Sequence, residues 1–254
     1  MEWAKRRQIY YATGVFLLFT AIISPFIWKL IHHKPTCFDG IQNQGETSVD
    51  KGGPCKLLDE RVQKPLLILW SRAFKIRPGL YSTVAYIENP NPKSGILSIP
   101  YHFKLYNSEN ILIAERFGNV PILPGRVMPI LETGIETGNR DVARVTFQFL
   151  RKEVWVKMFD ESKKIDVYDE VFKPGKIPRV DAKTKNSDVI PKKNVIFVAT
   201  LFDEVGNALA SSRTYLERME PDKEYEISFT WPKPFKISPT RIDVQPLIAP
   251  RVKF

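Results

Sequence analysis

Two cysteines, three histidines and thirteen glycines are few for 254 residues, and each scarcity removes a class of chemistry. There is no His-Glu-x-x-His, no zinc-spaced cysteine pair and no glycine loop of the phosphate-binding kind. Beyond the apolar N-terminal region the only histidine is His102. A serine–histidine–aspartate relay would have to use it. It lies in "YHFKLY", where alternation sets it opposite Tyr101, Phe103 and Leu105, and no nucleophile elbow accompanies it. The scattered acids leave a glycosidase-type carboxylate pair open but favour none. Arginine-rich runs and basic–aromatic clusters are missing too, so nucleic acid is not an expected partner.

Charge is present, but unevenly. The formal net charge is +10. Residues 1–34 hold five Lys/Arg against one acid, and the rest holds 33 against 27. A mildly basic surface of this kind suits acidic lipid head groups or cell-wall polymers.

One long apolar run exists. "QIYYATGVFLLFTAIISPFIW", residues 8–28, has no charged side chain. It matches the roughly 20 residues a helix needs to cross a bilayer core. Tyr10, Tyr11 and Trp28 sit near its ends, as interfacial aromatic rings do. Lys5, Arg6 and Arg7 precede it, and the positive-inside rule keeps such a cluster in the cytoplasm. The expected layout is a cytoplasmic tail over 1–7 and a single-pass signal anchor over 8–31, with everything beyond outside the cytoplasm. The alternatives are a cleaved signal peptide, for which Ser24 followed by Pro25 is a poor cleavage site, and a buried soluble helix. His32 and His33 read as polar residues at the interface.

Export changes the meaning of Cys37 and Cys55. In an oxidising compartment two cysteines 18 positions apart most simply pair, and closing such a loop stabilises by roughly 3 kcal/mol in the chain-entropy account. The alternative is two free thiols in a flexible linker. Between them Asp39, Asn43, Glu46 and Asp50 could supply oxygens to calcium, although the spacing is not that of an EF-hand. Otherwise they are turn residues. No other cofactor is expected. The stretch "CFDGIQNQGETSVDKGGPC" resembles a cysteine-rich module of bacterial surface proteins. That module carries two further cysteines, at the places of Lys51 and Leu58 here. Their joint loss, with Cys37 and Cys55 kept, fits a 37–55 connection.

After a polar module and linker over 32–61 the pattern is β. "VARVTFQFLRKEVWVKMF" and "EYEISFTW" alternate with period two. In the second, Tyr225, Ile227, Phe229 and Trp231 face one way and Glu224, Glu226, Ser228 and Thr230 the other. "LYNSENILIA" from Leu105 recurs 96 residues later as "LFDEVGNALA" from Leu201, matching Tyr106 to Phe202, Asn107 to Asp203 and Ala114 to Ala210. Repeats of about this length, made of short strands, suggest sandwiches. The expected fold is mainly β: an N-terminal transmembrane helix followed by two tandem immunoglobulin-like β-sandwiches, over 62–158 and 159–254. The second copy is similar to FxLYD-type domains of membrane-anchored prokaryotic proteins. The first, with "ENPNP" and "SIPYHFKLY", resembles the late-embryogenesis-abundant water-stress domain. Both resemblances imply a sandwich and leave function open.

A polar stretch "ETGIETGNR" is a candidate binding loop between strands, comprising Glu132, Thr133, Gly134, Glu136, Thr137, Asn139 and Arg140. The expectation is a non-enzymatic binding or structural component of the cell envelope, partnered by the bilayer and by a protein or cell-wall polymer. The competing expectation is an envelope enzyme acting on cell-wall or lipid substrate.

Overall fold

The computed structural model describes residues 2–31 and 35–250. His32, His33 and Lys34 lie outside the described residues. The chain divides into two compact units, Met1–Cys55 and Lys56–Phe254.

The first unit begins with one helix, α1 (Glu2–Ile31), long and apolar enough to cross a membrane. It is longer than the apolar run, because Lys5, Arg6 and Arg7 continue it at the N-terminus; the Arg7 guanidinium lies over the Trp3 ring at 4.5 Å. Thr13 and Thr20 donate their hydroxyl protons to the carbonyls of Ile9 and Phe16, both at 2.8 Å. Each hydroxyl thus returns to the helix backbone, which a lipid environment requires of a polar group. Pro25 falls in the last two turns, where the missing amide proton interrupts little of the ladder.

Apart from two short 3-10 helices, Glu60–Val62 and Glu161–Lys164, the described residues of the second unit are strand and turn: β1 (Leu67–Arg77), β2 (Leu80–Asn89), β3 (Ser94–Tyr106), β4 (Leu112–Ile122), β5 (Arg126–Glu136), β6 (Arg144–Phe149), β7 (Trp155–Lys157), β8 (Ile165–Lys173), β9 (Arg179–Asn186), β10 (Lys192–Phe202), β11 (Ala208–Met219), β12 (Glu224–Thr230) and β13 (Arg241–Leu247). The protein is mainly β, an N-terminal apolar helix followed by β-sandwiches. The first sandwich faces a β1-β2-β5 sheet against a β4-β3-β6 sheet, with β7 also on β3. The second faces β8-β9-β12 against β11-β10-β13. All these pairings are antiparallel. In "PLLILWSRAF" the residues from Leu67 onward belong to strand β1.

Each sandwich has its own core. Ile87, Ile96, Phe103, Leu105, Ile122 and Met128 fill the first. Val180, Phe197, Leu201, Ile227, Phe229 and Trp231 fill the second. Strand β12 shows the cause plainly. Ile227, Phe229 and Trp231 are buried and Tyr225 half-buried, while Glu224, Glu226, Ser228 and Thr230 are exposed. Each fully buried apolar side chain of this size contributes about 1.5–3 kcal/mol, and a one-residue slip would exchange them for two glutamates.

The 96-residue repeat is physical down to single hydrogen bonds. Leu105 pairs with Ala114 across β3–β4, and Leu201 with Ala210 across β10–β11, each followed by a register shift. Asn107 Oδ1 accepts from the amides of Glu109 and Ile111; Asp203 Oδ1 accepts from those of Val205 and Asn207. The left-handed residue of the turn is Asn110 in one copy and Gly206 in the other. Both are residue types that tolerate that conformation. A second correspondence escapes residue matching. Buried Asn89 donates to the carbonyls of Ser94 and Leu123, and buried Asn186 to those of Ile190 and Met219. In each copy one amide side chain thus ties two chain segments together in the interior.

Between the sandwiches lies a third apolar cluster. Val84, Tyr86 and Leu131 from the outer face of the β1-β2-β5 sheet meet Val198, Phe202 and Ala208 from the outer face of β11-β10-β13, with Trp70 and Phe74 against them. Trp70 stacks on Tyr86 at 4.4 Å, and Phe202 meets both rings edge-on. The unit is therefore four sheets deep.

Candidate functional site

The loop over 35–55 is a site built by side chains that bond to its own backbone. Cys37 and Cys55 are disulfide-bonded, with Cα atoms 5.5 Å apart. Asp50 reaches back to accept from the amides of Asp39 and Gly40, at 3.1 Å for Asp39. Asp39 accepts from the amides of Thr36 and Ile41 and from the Asn43 side chain. Glu46 is buried at the centre, its Oε2 accepting from the amides of Asn43 and Asp50. A methyl group at Gly52 (φ +81°) would stand 2.4 Å from the Thr47 hydroxyl, so the backbone there admits only glycine.

The structure thus brings all four proposed ligand residues together, but turns carboxylate oxygens of Asp39, Glu46 and Asp50 towards amide protons of the same loop, while Asn43 Oδ1 is buried without a hydrogen-bond partner among the described residues. Calcium would have to displace those bonds. Glu46 and both sulfurs also lie within 4.8 Å of one another. The sulfurs are bonded to each other and are not thiolates, and metal binding by cysteine uses the thiolate. For the same reason the 3.1 Å approach of Cys55 Sγ to Glu46 Oε1 is a sulfur–oxygen contact with no proton between. Asp39, Asn43, Glu46 and Asp50 account for their positions by folding the loop.

The stretch over 132–140 is not a loop between strands. Glu132, Thr133, Gly134 and Glu136 belong to β5, and only residues 137–140 turn. At Gly134, with φ +71°, the register against β2 slips, so that Tyr81 meets Ile135 but Thr83 meets Glu132. Such a bulge redirects the strand and returns Ile135 to the core. Tyr101 donates to Glu132 Oε1 at 2.6 Å, and Arg116 lies 3.5 Å from Glu132 Oε2. Burial and this carboxylate hold the Tyr101 phenol well above its ordinary range. Thr137 is buried, its hydroxyl donating to the Arg140 carbonyl and its amide to that of Gly79. Arg140 donates to the Ile113 carbonyl. Asn139 is exposed in the turn. These groups join the two sheets of the first sandwich rather than facing outward together. Sequence alternation missed this because the bulge breaks the period at Gly134.

His102 is buried although it lies opposite the core side chains. Its ring stacks on Phe117 at 3.9 Å, and its Nε2 is 3.1 Å from Glu115 Oε1. That arrangement packs the sheet surface.

The polar arrangement the sequence did not announce is at the sandwich junction. Arg126, on β5, is 3.2 Å from Asp160 and donates to Ser162 Oγ at 2.6 Å, to the Pro246 carbonyl and to Gln245 Oε1 at 2.9 Å. One guanidinium therefore joins the first sandwich, the connecting turn and β13 of the second. Tyr86 donates to Asp243 at 2.8 Å, and Arg72 to the Ala208 carbonyl. Burial beside Asp243 raises the Tyr86 phenol out of any physiological range. Nothing local in the sequence marks these residues, because their partners on β11 and β13 are more than a hundred positions away.

No protein-family model matches the chain, and comparison with curated proteins gives no match. Among solved structures it is similar to a red sea bream transglutaminase at 8% identity and a TM-score of 0.22, over 71% of this chain and 29% of the transglutaminase. A likeness that weak carries no argument about fold or function.

Proposed function

We propose that the protein is a single-pass membrane-anchored, extracytoplasmic component of the cell envelope. It acts by binding or by structure rather than by catalysis, within a membrane or appendage assembly. The observation that carries this reading is the docking of two sandwiches through an apolar, hydrogen-bonded face. Tandem domains on flexible linkers keep independent motion; these two are packed and hydrogen-bonded to each other instead. Lys5, Arg6 and Arg7 favour a cytoplasmic N-terminus, and the Cys37–Cys55 bond suits an oxidising compartment. In that arrangement the disulfide loop follows the membrane, and the sandwiches present faces and edges to a protein or cell-wall polymer.

Reporter fusions after Lys34 and after Phe254 should be active only outside the cytoplasm. Photo-crosslinking from the exposed β8-β9-β12 face in intact membranes should yield one protein adduct of fixed stoichiometry. Cytoplasmic reporter activity, or turnover of a cell-wall or lipid substrate abolished at a single acid, would overturn the reading.

A further inference from the structure

The first sandwich carries a basic, partly apolar edge built from three segments far apart in sequence. Residues 56–62 run beside β7: Leu57 bridges Val156, the Leu58 amide donates to the Trp155 carbonyl, and the Lys157 amide donates to that of Lys56. Asn91 bonds the backbone of Lys64 in both directions, and the Met158 amide donates to the Lys93 carbonyl. Residues 56–64, 91–93 and 151–159 are thus one continuous surface.

That surface holds seven Lys/Arg against three acids, while all residues from 35 onward hold 33 against 27. Most of the excess positive charge beyond the helix therefore sits on this edge. The acids offset part of it, and Glu153 stands half-exposed on the same edge, but four cations are left over. Asp59 is buried and held by Arg61, and Glu60 pairs with Lys152 at 2.7 Å. Lys64, Lys93, Arg151 and Lys157 make no ion pair among the described residues. Between the cations stand large apolar side chains open to solvent: Val62 and Val154 at 62% and Phe159 at 76%. The β8-β9-β12 face is different. Its cations Lys173, Arg179, Lys183 and Lys185 are each paired with an acid.

Interspersed unpaired cations and protruding apolar groups are what an anionic bilayer surface binds. Each Lys or Arg near such a surface is drawn to its negative potential, and the apolar groups enter the headgroup boundary. We infer that this edge of the first sandwich is a second membrane contact, seated on anionic lipid head groups. The inference rests on the anchored reading above. Lys56 follows Cys55 directly, and the disulfide bypasses the 17 residues between its cysteines, so along the chain the 56–64 segment of this edge is the part of the β-unit that follows the anchor most closely.

The test uses the full chain reconstituted in nanodiscs of phosphatidylcholine alone or with about one third phosphatidylglycerol. Amide hydrogen exchange is followed over 60–64 and 151–159. On the anionic discs these amides should exchange at least about fivefold more slowly, and ~0.5 M salt should abolish the difference. The combined changes Lys64→Glu, Arg151→Glu and Lys157→Glu should abolish it too, with circular dichroism unchanged. Lys173→Glu on the opposite sandwich should leave it intact. Equal exchange on both discs, with the chain still disc-bound after an alkaline wash, would overturn the second contact and leave the anchor standing. Loss of the chain from both discs would overturn the anchor, and this contact with it.

Discussion

Strands β2 and β9 occupy the same place in their sandwiches, each the middle strand of its sheet, yet they are buried differently. Every residue from Tyr81 to Ile87 in β2 is buried. In β9 only alternate residues are: Val180, Ala182 and Thr184 point to the core, while Asp181, Lys183 and Lys185 lie at the charged surface. The chemistry follows. "LYSTVAYIEN" is nearly uninterrupted in its apolar and small residues, whereas "RVDAKTKN" alternates. The fold of the two copies is one, but the neighbours of their sheets are not. A sheet covered on both faces needs apolar residues on both; a terminal sheet needs one dry face and one wet.

Four substitutions probe that contrast, from the most to the least damaging. Phe229→Ala, in the second core, should cost about 3–5 kcal/mol through lost burial and a cavity, read as a fall in the denaturant midpoint. Arg126→Ala should cost about 3 kcal/mol, because it strands Asp160, whose side chain is 1% exposed. It should also split one calorimetric transition into two, since it removes a tie between the sandwiches. A single unshifted transition would show that the apolar cluster alone holds them.

Lys192→Met comes next, at about 2 kcal/mol near neutral pH. The ammonium is almost fully buried, 2.6 Å from Asp188 and 3.1 Å from Glu161. Burial opposes its charge, but the two carboxylates prevail and raise it above the usual lysine value, while its hydrogen bond holds the Asp188 carboxyl below the usual range. A raised lysine contributes fully below its unfolded value near 10.4 and is lost as pH rises through the folded one. A depressed aspartate contributes above its unfolded value near 3.9 and is lost as pH falls. Melting temperatures of wild type and variant should therefore differ most between about pH 4 and pH 10 and converge outside it. Smallest of all, Glu226→Ala on the exposed face of β12 should move stability by less than about 0.5 kcal/mol. A larger effect there would mean that the outer face of the last sheet is covered too.

Much of this architecture was legible because it rests on local rules. The apolar helix follows from an uncharged run, the strands from period two, and the paired hairpins from repeated turn chemistry at Asn107 and Asp203. The docking of the sandwiches was not legible in the same way. It depends on Tyr86 finding Asp243 and Arg126 finding Gln245, contacts between strands with no sequence relation. One sign of it was available: the continuous apolar character of β2, which a lone sandwich with a solvated outer sheet would not need. Position 134 misled for the opposite reason. A glycine in a polar stretch suggests a turn, and here it makes a bulge within a strand.

The way the sandwiches join has a bearing on length. The first offers its β1-β2-β5 face and the second its β11-β10-β13 face. The repeat equates β11-β10-β13 with β4-β3-β6 of the first copy, so the two faces in contact are different ones. A join of unlike faces does not close on itself and could in principle be repeated. The outer face of β8-β9-β12 is unlike the face the first copy uses, carrying paired charges where β1-β2-β5 has Val84, Tyr86 and Leu131. With sheets spaced about 10 Å apart, a further copy would raise the stack by about 20 Å. Reach in such a unit grows by whole sandwiches, and the salt-bridged outer face of β8-β9-β12 lacks the apolar groups that this kind of join uses.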